Sequence, residues 1–125
     1  MLLTFTKPKF EGLIKENIKQ HTIRADKNNR WKVGNSIQFW NGNQRNVHAK
    51  NKPHQFGSGV CSRIEQIEIY PNQNRIKIND FDTTNLLVLN DIAINDGFEN
   101  WDEMKTFFTE DFTGKLIFWN NTVWW

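Results

Sequence analysis

Short hydrophobic segments separated by polar turns run along the chain, and the spacing within each segment predicts its secondary structure. Residues 2–6 predict a first strand. Apolar side chains then recur three or four positions apart, which predicts a helix with one buried stripe. The stripe consists of Phe10, Leu13, Ile14 and Ile18. We expect Thr6 to cap this helix, with Pro8 in its first turn, and Asn17 to end it, because asparagine tolerates left-handed backbone.

Further strands follow from alternating or β-branched residues. They are predicted at residues 21–24, 37–40, 60–70, 75–78 and 115–120. In the predicted strand at residues 60–70 the alternation of apolar positions shifts by one residue, which predicts a bulge near Glu65 and Gln66. Residues 71–74 have the composition of a turn, so the third and fourth of these strands are expected to form a hairpin.

Two segments are less regular. Residues 41–59 are rich in Asn, Gly and basic side chains, which predicts one long loop of a kind that is usually functional or mobile. Residues 86–89 form a brief apolar run whose type the sequence leaves open. Asn90 can cap a short helix after this run, and that helix is expected to end at Asp96 and Gly97.

The last predicted helix has the clearest start, because Asn100 can cap it and Glu103 stands at the capping-box position. Its buried stripe is predicted at Trp101, Met104, Phe107 and Phe108. Thr113 and Gly114 are expected to stop it before the final strand. Several short strands with two or three helices predict a mixed α+β fold, and the strand count suits a small, partly open β-barrel.

Length and composition predict a single globular domain spanning residues 1–125. Hydrophobic residues make up 38% and charged residues 24% of the chain, which is ordinary for a folded protein. The opening hydrophobic residues are too few for a signal-peptide core, and no apolar run approaches membrane-spanning length, so a cytoplasmic protein is expected. The single cysteine, Cys61, excludes an internal disulfide and is expected to be a small buried hydrophobe.

Charge is divided unevenly along the chain, although the net charge is only +2. Residues 1–64 carry twelve Lys or Arg and three Asp or Glu, whereas residues 65–125 carry four and eleven. A basic half is typical of a surface that meets nucleic-acid phosphate. The two halves can equally pair with each other across one small domain, and the sequence leaves both interpretations open.

Basic and aromatic residues are interleaved around the long loop. This composition suits single-stranded RNA or a nucleotide, because cations contact phosphate and rings stack on bases. The candidate ligand-binding residues here are Trp40, Arg45, Lys50, Lys52, Phe56 and Arg63. A loop that is merely solvated has the same composition. The histidines, at positions 21, 48 and 54, have no metal-ligand spacing, so they are interpreted as surface or core residues, and no metal or cofactor is expected.

One short polar stretch combines an amine, a hydroxyl and a guanidinium, in Lys19, Thr22 and Arg24. Few structural strands need that combination. Lys19 and Thr22 can meet only if the chain bends between them, and the helix end predicted just before them makes such a bend reasonable. The simpler alternative is that Lys19 is a solvated cation at a helix C-terminus. Arg24 could hold a phosphate or carboxylate, or could pair with Asp26 or Asp96.

Four segments carry a resemblance when they are taken together, in order and spacing. They read KQHTIR from Lys19, WKVG from Trp31, AINDGF from Ala93 and WDEM from Trp101. Together they resemble the ASCH domain, a member of the PUA-like superfamily, over residues 10–119. The resemblance implies a six-stranded β-barrel with peripheral helices and a cleft lined by the first segment. The chain departs from the family pattern at Asn17, where the family has glycine, and at Gln20, where a small hydroxyl residue is common.

The resemblance also implies roles for individual residues. Some bacterial ASCH proteins look like small amidohydrolases of N4-acetylcytidine, which here implies Lys19 as base, Thr22 as nucleophile and Asp96 in place of the family glutamate. A carboxylate one methylene shorter favours binding over catalysis. We therefore expect Lys19, Thr22, Arg24 and Asp96 to form a cleft for RNA or a modified nucleoside, with the amidohydrolase as the alternative. A further alternative is an accessory domain that contacts a partner through its two C-terminal tryptophans.

Overall fold

The computed structural model describes residues 1–42 and 52–125 of the chain. This part has an α+β fold of seven strands and three helices, in agreement with the predicted class. The strands are β1 (Leu2–Phe5), β2 (His21–Arg24), β3 (Ser36–Asn41), β4 (His54–Tyr70), β5 (Arg75–Ile78), β6 (Phe81–Thr83) and β7 (Phe112–Trp124). The helices are α1 (Lys9–Lys15), α2 (Leu86–Asn95) and α3 (Trp101–Phe107).

All seven strands belong to one mixed sheet built around β4. One edge of β4 pairs antiparallel with β7, and β2 pairs antiparallel with the other edge of β7. The opposite edge of β4 is shared by β3 and β5, which continue to β1 and β6 respectively. Within the described residues the sheet is not closed into a barrel, so the barrel implied by the resemblance is not confirmed.

The long strand β4 begins six residues earlier than predicted, at His54 instead of residue 60. Its first part is rich in Gly and Ser, which hides the strand pattern, but Gly57 is needed there because a Cβ would collide with the Trp124 ring. The predicted loop at residues 41–59 is correspondingly shorter at its C-terminal end. Residues 43–51 of that loop lie outside the described residues.

The bulges of β4 also differ from the prediction. Its register against β7 shifts between Ser58 and Val60 and again between Cys61 and Arg63, but it runs without a break from Arg63 to Ile69. The slip in the apolar pattern has another cause. Ile64 and Ile67 point to opposite faces of the strand, and both faces are at least partly buried.

The helix boundaries are partly as predicted. The predicted Thr6 cap is wrong, because α1 begins after Pro8 and has no side-chain cap. Residues 86–89 form the first turn of α2, which is capped by Asn85 and not by Asn90. Asn100 caps α3 as predicted, with its side chain accepting the Glu103 N–H at 2.8 Å.

The end of α3 differs from the prediction. The helix ends at Phe107, and Thr113 and Gly114 belong to β7. Phe107 is 58% exposed, so only the other three residues of the predicted stripe are buried. The core also takes in Cys61, as predicted, and burial raises the pKa of its thiol.

Candidate functional site

Lys19 reaches the protein interior because the chain turns sharply after α1. Asn17 is left-handed, with φ of 62°, as predicted for this helix end. The next two N–H groups, of Ile18 and Lys19, both donate to the Leu13 carbonyl, at 2.9 and 3.0 Å. The Lys19 side chain is then only 1% exposed. The alternative in which Lys19 is a solvated cation is therefore wrong.

Oxygen atoms from two distant parts of the chain hold the Lys19 amine. Its Nζ donates to the His21 carbonyl at 2.9 Å and to the Asp96 carbonyl, and it lies 3.4 Å from Asp96 Oδ1. The ring centroids of Phe10 and Phe5 lie 4.5 and 5.6 Å from the same nitrogen. The three donors of an ammonium are thus occupied by oxygen atoms, while two rings keep water away from it.

The C-terminus of α2 presents Asp96 to the amine. Gly97 follows with φ of 98°. The Gly97 N–H donates to the Ile94 carbonyl at 3.0 Å and the Phe98 N–H to the Ala93 carbonyl at 2.9 Å, as at a helix end that is terminated by glycine. A Cβ at residue 97 would lie 2.8 Å from the Phe10 ring and 2.9 Å from the Lys19 side chain. Gly97 therefore serves both the backbone turn and the close approach of Lys19.

His21 belongs to this site, although its sequence pattern predicts only a surface or core histidine. Its Nδ1 lies 3.0 Å from Asp96 Oδ1, and its ring packs edge-on against Phe118 with the centroids 5.2 Å apart. The side chain is buried. An imidazole in this position fixes the Asp96 carboxylate towards Lys19. The two residues are 75 positions apart in the chain, so no local pattern could have revealed the contact.

Arg24 extends from β2 towards the same place. Its Nη2 donates to the Thr4 carbonyl at 2.9 Å, and its Cζ lies 5.2 Å from the centroid of the Phe5 ring. Neither ion pair considered from the sequence, with Asp26 or with Asp96, is present in the part of the chain that the structure describes. Arg24 Nε is buried and has no hydrogen-bond partner among the described residues. The guanidinium thus keeps a donor that a ligand could use.

Lys19, Thr22, Arg24 and Asp96 line one cleft of about 100 Å³. Its remaining wall is largely aromatic and includes Phe5, Phe10, Phe98, Phe107 and Phe108. The predicted bend therefore brings Lys19 and Thr22 together, but the Thr22 hydroxyl makes no hydrogen bond to Lys19 in the described structure. A cleft of this size is smaller than the usual pocket for a whole ligand, so it suits a planar group or the edge of a base.

Burial shifts the pKa values of both cations in the cleft. Burial lowers the pKa of Lys19 from 10.5 to about 8, the nearby Asp96 carboxylate opposes the change, and Arg24 adds to it. Burial also lowers the pKa of Arg24, again with Asp96 acting in the opposite direction. With a pKa of about 8, roughly one Lys19 amine in ten is neutral at pH 7.

The other residues predicted to bind ligand do not line this cleft where the structure describes them. Phe56 is buried in the core, so its ring offers no face to a base. Trp40 is half-buried on β3, and Lys52 is exposed just before β4. Arg63 lies in a separate depression. The predicted residues outside the described part of the chain are Arg45 and Lys50.

The oppositely charged halves of the chain pair with each other in the folded protein. The pairs that join a cation of the basic half to an acid of the acidic half include Lys9 with Glu103 and Lys19 with Asp96. This was one of the two interpretations of the charge distribution. The basic half is thus partly neutralised within the fold, and its charge alone is a weak argument for nucleic-acid binding.

The two C-terminal tryptophans differ in exposure. The Trp124 ring stacks on Phe56 with the centroids 6.2 Å apart, whereas Trp125 is 64% exposed. The Trp125 carbonyl accepts a hydrogen bond from Lys15 Nζ at 2.9 Å. Only Trp125 of this pair therefore presents an exposed ring to a protein partner.

Comparison of the chain with protein-family models, with curated proteins and with solved structures found no match. Among the described residues, no helix has both the length and the apolar character needed to cross a membrane.

Proposed function

We propose that this protein binds RNA or a modified nucleoside and that the edge of one base enters the cleft. One observation carries this proposal. Arg24, whose buried Nε has no partner among the described residues, and Lys19 both line a small cleft with aromatic walls. A base carbonyl oxygen can accept from the Arg24 guanidinium while the base packs against the rings. The ligand would thus satisfy a buried donor that the described residues leave unpaired.

The charges in the cleft favour a neutral group over a phosphate. Asp96 Oδ1 lies 3.4 Å from the Lys19 amine, so one of the two cations already has a counter-ion. A phosphate would have to shed its hydration in a cleft of about 100 Å³ that also contains this carboxylate. Desolvating a charge costs far more than desolvating an amide carbonyl. The phosphate role considered for Arg24 is therefore less favourable than a carbonyl role.

The relationship to the ASCH domain and its barrel is part of this proposal. Three features support it: the left-handed Asn17 where the family has glycine, the cleft lined by Lys19 and Thr22, and the presence of Asp96 at that cleft. The described sheet is open, so the barrel is proposed only as the form that the family relationship implies. A cytoplasmic location also remains a prediction.

The second candidate function is hydrolysis of an N4-acylated cytidine, and the lowered pKa of Lys19 favours it. In this reaction the neutral Lys19 amine accepts the Thr22 proton as Thr22 Oγ1 attacks the acyl carbonyl, and Arg24 donates to the developing oxyanion. The C–N bond then breaks, Lys19 returns the proton to the cytosine amine, and water hydrolyses the ester on Thr22.

Two features make binding the first choice. The Thr22 hydroxyl is not hydrogen-bonded to Lys19 in the described structure, so a nucleophile and its base are not yet paired. The Asp96 carboxylate is engaged by both His21 and Lys19. It therefore orients the amine, and it would have to leave these partners in order to exchange a proton with a substrate.

Calorimetric titration with cytidine, N4-acetylcytidine and a short single-stranded oligoribonucleotide tests binding. Arg24→Gln removes the unpartnered donor and should weaken binding about tenfold or more, because a hydrogen bond to a charged group contributes about 1.5 to 3 kcal/mol. Arg30→Gln, which removes an exposed arginine outside the cleft, is the matched control and should change little. Equal affinity of wild type and Arg24→Gln for every ligand contradicts the proposal.

Release of cytidine from N4-acetylcytidine tests the second candidate. Wild type should turn over the substrate, while Lys19→Ala and Thr22→Ala should each abolish turnover, because base and nucleophile act as a unit. Absence of turnover in wild type, or turnover that survives both substitutions, excludes the hydrolase and leaves the binding proposal standing.

A further inference from the structure

A second concavity lies on the sheet beside the start of β2, and it shares no lining residue with the cleft. It has a volume of about 390 Å³, and we call it the Arg63 depression. Its lining residues are Asn17, Gln20, Ser62, Arg63, Phe118 and Trp119. Its size is in the range of a ligand site, unlike that of the cleft.

Arg63 and Phe118 form the floor of this depression. The Arg63 Cζ lies 3.8 Å from the centroid of the Phe118 ring, which places the guanidinium in van der Waals contact with the ring. The Arg63 side chain is nevertheless 59% exposed. A guanidinium that is held on one side by a ring and open to solvent on the other offers a planar cationic surface.

The bulge in β4 creates this arrangement. Cys61 pairs with Trp119 and Arg63 pairs with Phe118, so Ser62 is the extra residue. Without the bulge Ser62 would stand opposite Phe118, and Arg63 would point to the other face of the sheet. Bulges often re-aim a side chain in this way.

The cross-strand pair of Arg63 and Phe118 is continued by a third residue, which belongs to the candidate site. Phe118 also pairs with His21 of β2, and the two rings are in contact. His21 in turn contacts Asp96, which holds Lys19. The Arg63 depression and the cleft are therefore linked through one buried histidine.

The rim of the Arg63 depression carries polar groups suited to the edge of a base. Gln20 is exposed, and its Nε2 donates only a long hydrogen bond, 3.3 Å, to the Asn17 carbonyl. The Asn17 side chain and the Ser62 hydroxyl also line the depression. Amides and hydroxyls both donate and accept, so they can adapt to the Watson–Crick edge of an unpaired base.

We propose that the Arg63 depression binds an unpaired nucleobase stacked on the Arg63 guanidinium. This inference rests on the proposed function and makes it more specific, because two base sites on either side of His21 indicate single-stranded RNA and not a free nucleoside. A phosphate fits the depression less well, since Glu65 Oε1 lies 3.5 Å from Arg63 Nε and would repel it. Stacking tolerates that carboxylate.

Fluorescence anisotropy with a labelled single-stranded hexaribonucleotide tests the inference. Arg63→Ala and Arg63→Lys should both weaken binding about tenfold, because stacking on one base is worth that much and lysine keeps the charge but not the plane. Arg75→Lys is the matched control. Arg75 also lies over a ring, with Cζ 4.9 Å from the Tyr70 centroid, but Asp82 neutralises it. The Arg75→Lys variant should bind the hexaribonucleotide like wild type, and circular dichroism should confirm that each variant is folded.

A hexamer of abasic nucleotides, which keeps the phosphates but removes every base, should bind at least tenfold more weakly than the normal hexamer. Full affinity of Arg63→Lys, or equal affinity for the abasic hexamer, overturns the stacking role. If Arg24→Gln weakens RNA binding while both Arg63 variants do not, this inference fails and the proposed function stands. If only the Arg63 variants lose RNA affinity, the result supports binding in the Arg63 depression and contradicts binding in the cleft. A wild-type protein that binds no RNA overturns the inference.

Discussion

At the scale of single residues, the candidate site depends on Lys19 being buried with its partners in place. Its amine is surrounded by two backbone carbonyls, one carboxylate and two aromatic rings. Burial of this kind disfavours the charged form, and the carboxylate only partly offsets the cost. Burial of Lys19 therefore reduces the stability of the protein, and it also leaves the amine partly neutral near physiological pH.

The pH dependence of stability reports this burial. Lys19 loses its proton at pH about 8 in the folded protein and at its ordinary value of 10.5 in the unfolded chain. Between these values the unfolded chain binds the extra proton, so the contribution of Lys19 to stability rises with pH, by about 3 kcal/mol at ~1.36 kcal/mol per pKa unit. Urea denaturation of wild type and Lys19→Met across this range should show the difference growing in favour of wild type. A constant difference contradicts a buried ammonium.

Gly97 should tolerate no side chain. Gly97→Ala forces a Cβ to within 2.8 Å of Phe10 and 2.9 Å of Lys19, at a φ of 98°. The left-handed backbone alone costs about 1 to 2 kcal/mol, and the displaced lysine should weaken ligand binding as well. Gly12→Ala is the control, because nothing lies within 4 Å of a Cβ there and the residue is in α1. It should stabilise the protein by about 1 kcal/mol in the same denaturation measurement.

At the scale of elements, two helix boundaries are predictable from the sequence, whereas the other helix boundaries and the length of β4 are not. The left-handed turn at Asn17 after α1 and the cap of α3 at Asn100 depend on nearby residues, so the sequence predicts them. The first part of β4 is stabilised by β3 and β7, whose residues are distant in the chain, and its local composition resembles a loop. Lys19 and Thr22 are close together in the chain, so their place in one cleft could be predicted. The contact of His21 with Asp96 joins residues 75 positions apart, so it could not.

The cap of α3 gives a prediction at this scale. Asn100→Ala removes the oxygen that accepts the Glu103 N–H at 2.8 Å, and this should lower the free energy of unfolding by about 1 kcal/mol. Asn100→Asp keeps an accepting oxygen and should remain close to wild type. A pair of variants with equal stability indicates that solvent replaces the cap without cost.

At the scale of the whole molecule, ion pairs connect distant parts of the chain, and that of Lys115 with Asp26 is one of the buried ones. The two side chains lie 2.8 Å apart and are 10% and 3% exposed. Burial alone would raise the pKa of Asp26, but Lys115 and the N–H groups of Arg30 and Trp31 hold it below its ordinary value. The pair anchors the loop after β2 to β7.

Removing one partner of this pair should be costly. Lys115→Met leaves a buried carboxylate without its cation and should destabilise the protein by about 3 kcal/mol. Lys77→Met is the control, because Lys77 and Glu68 form a more exposed pair at 4.0 Å, and it should change stability by less than about 1 kcal/mol. Thermal unfolding of the two variants checks the contrast, and similar losses in both would contradict the importance of burial.

The pairing of β2 with β7 has a consequence for the order in which the site is assembled during protein synthesis. β2 carries Thr22 and Arg24, yet in the described sheet its strand partner is β7, the last strand of the chain. The oxygen atoms of Asp96 that hold Lys19 also come from the second half. A nascent chain that has emerged only as far as α2 therefore lacks the partner of β2, and the cleft can be completed only after β7 has left the ribosome.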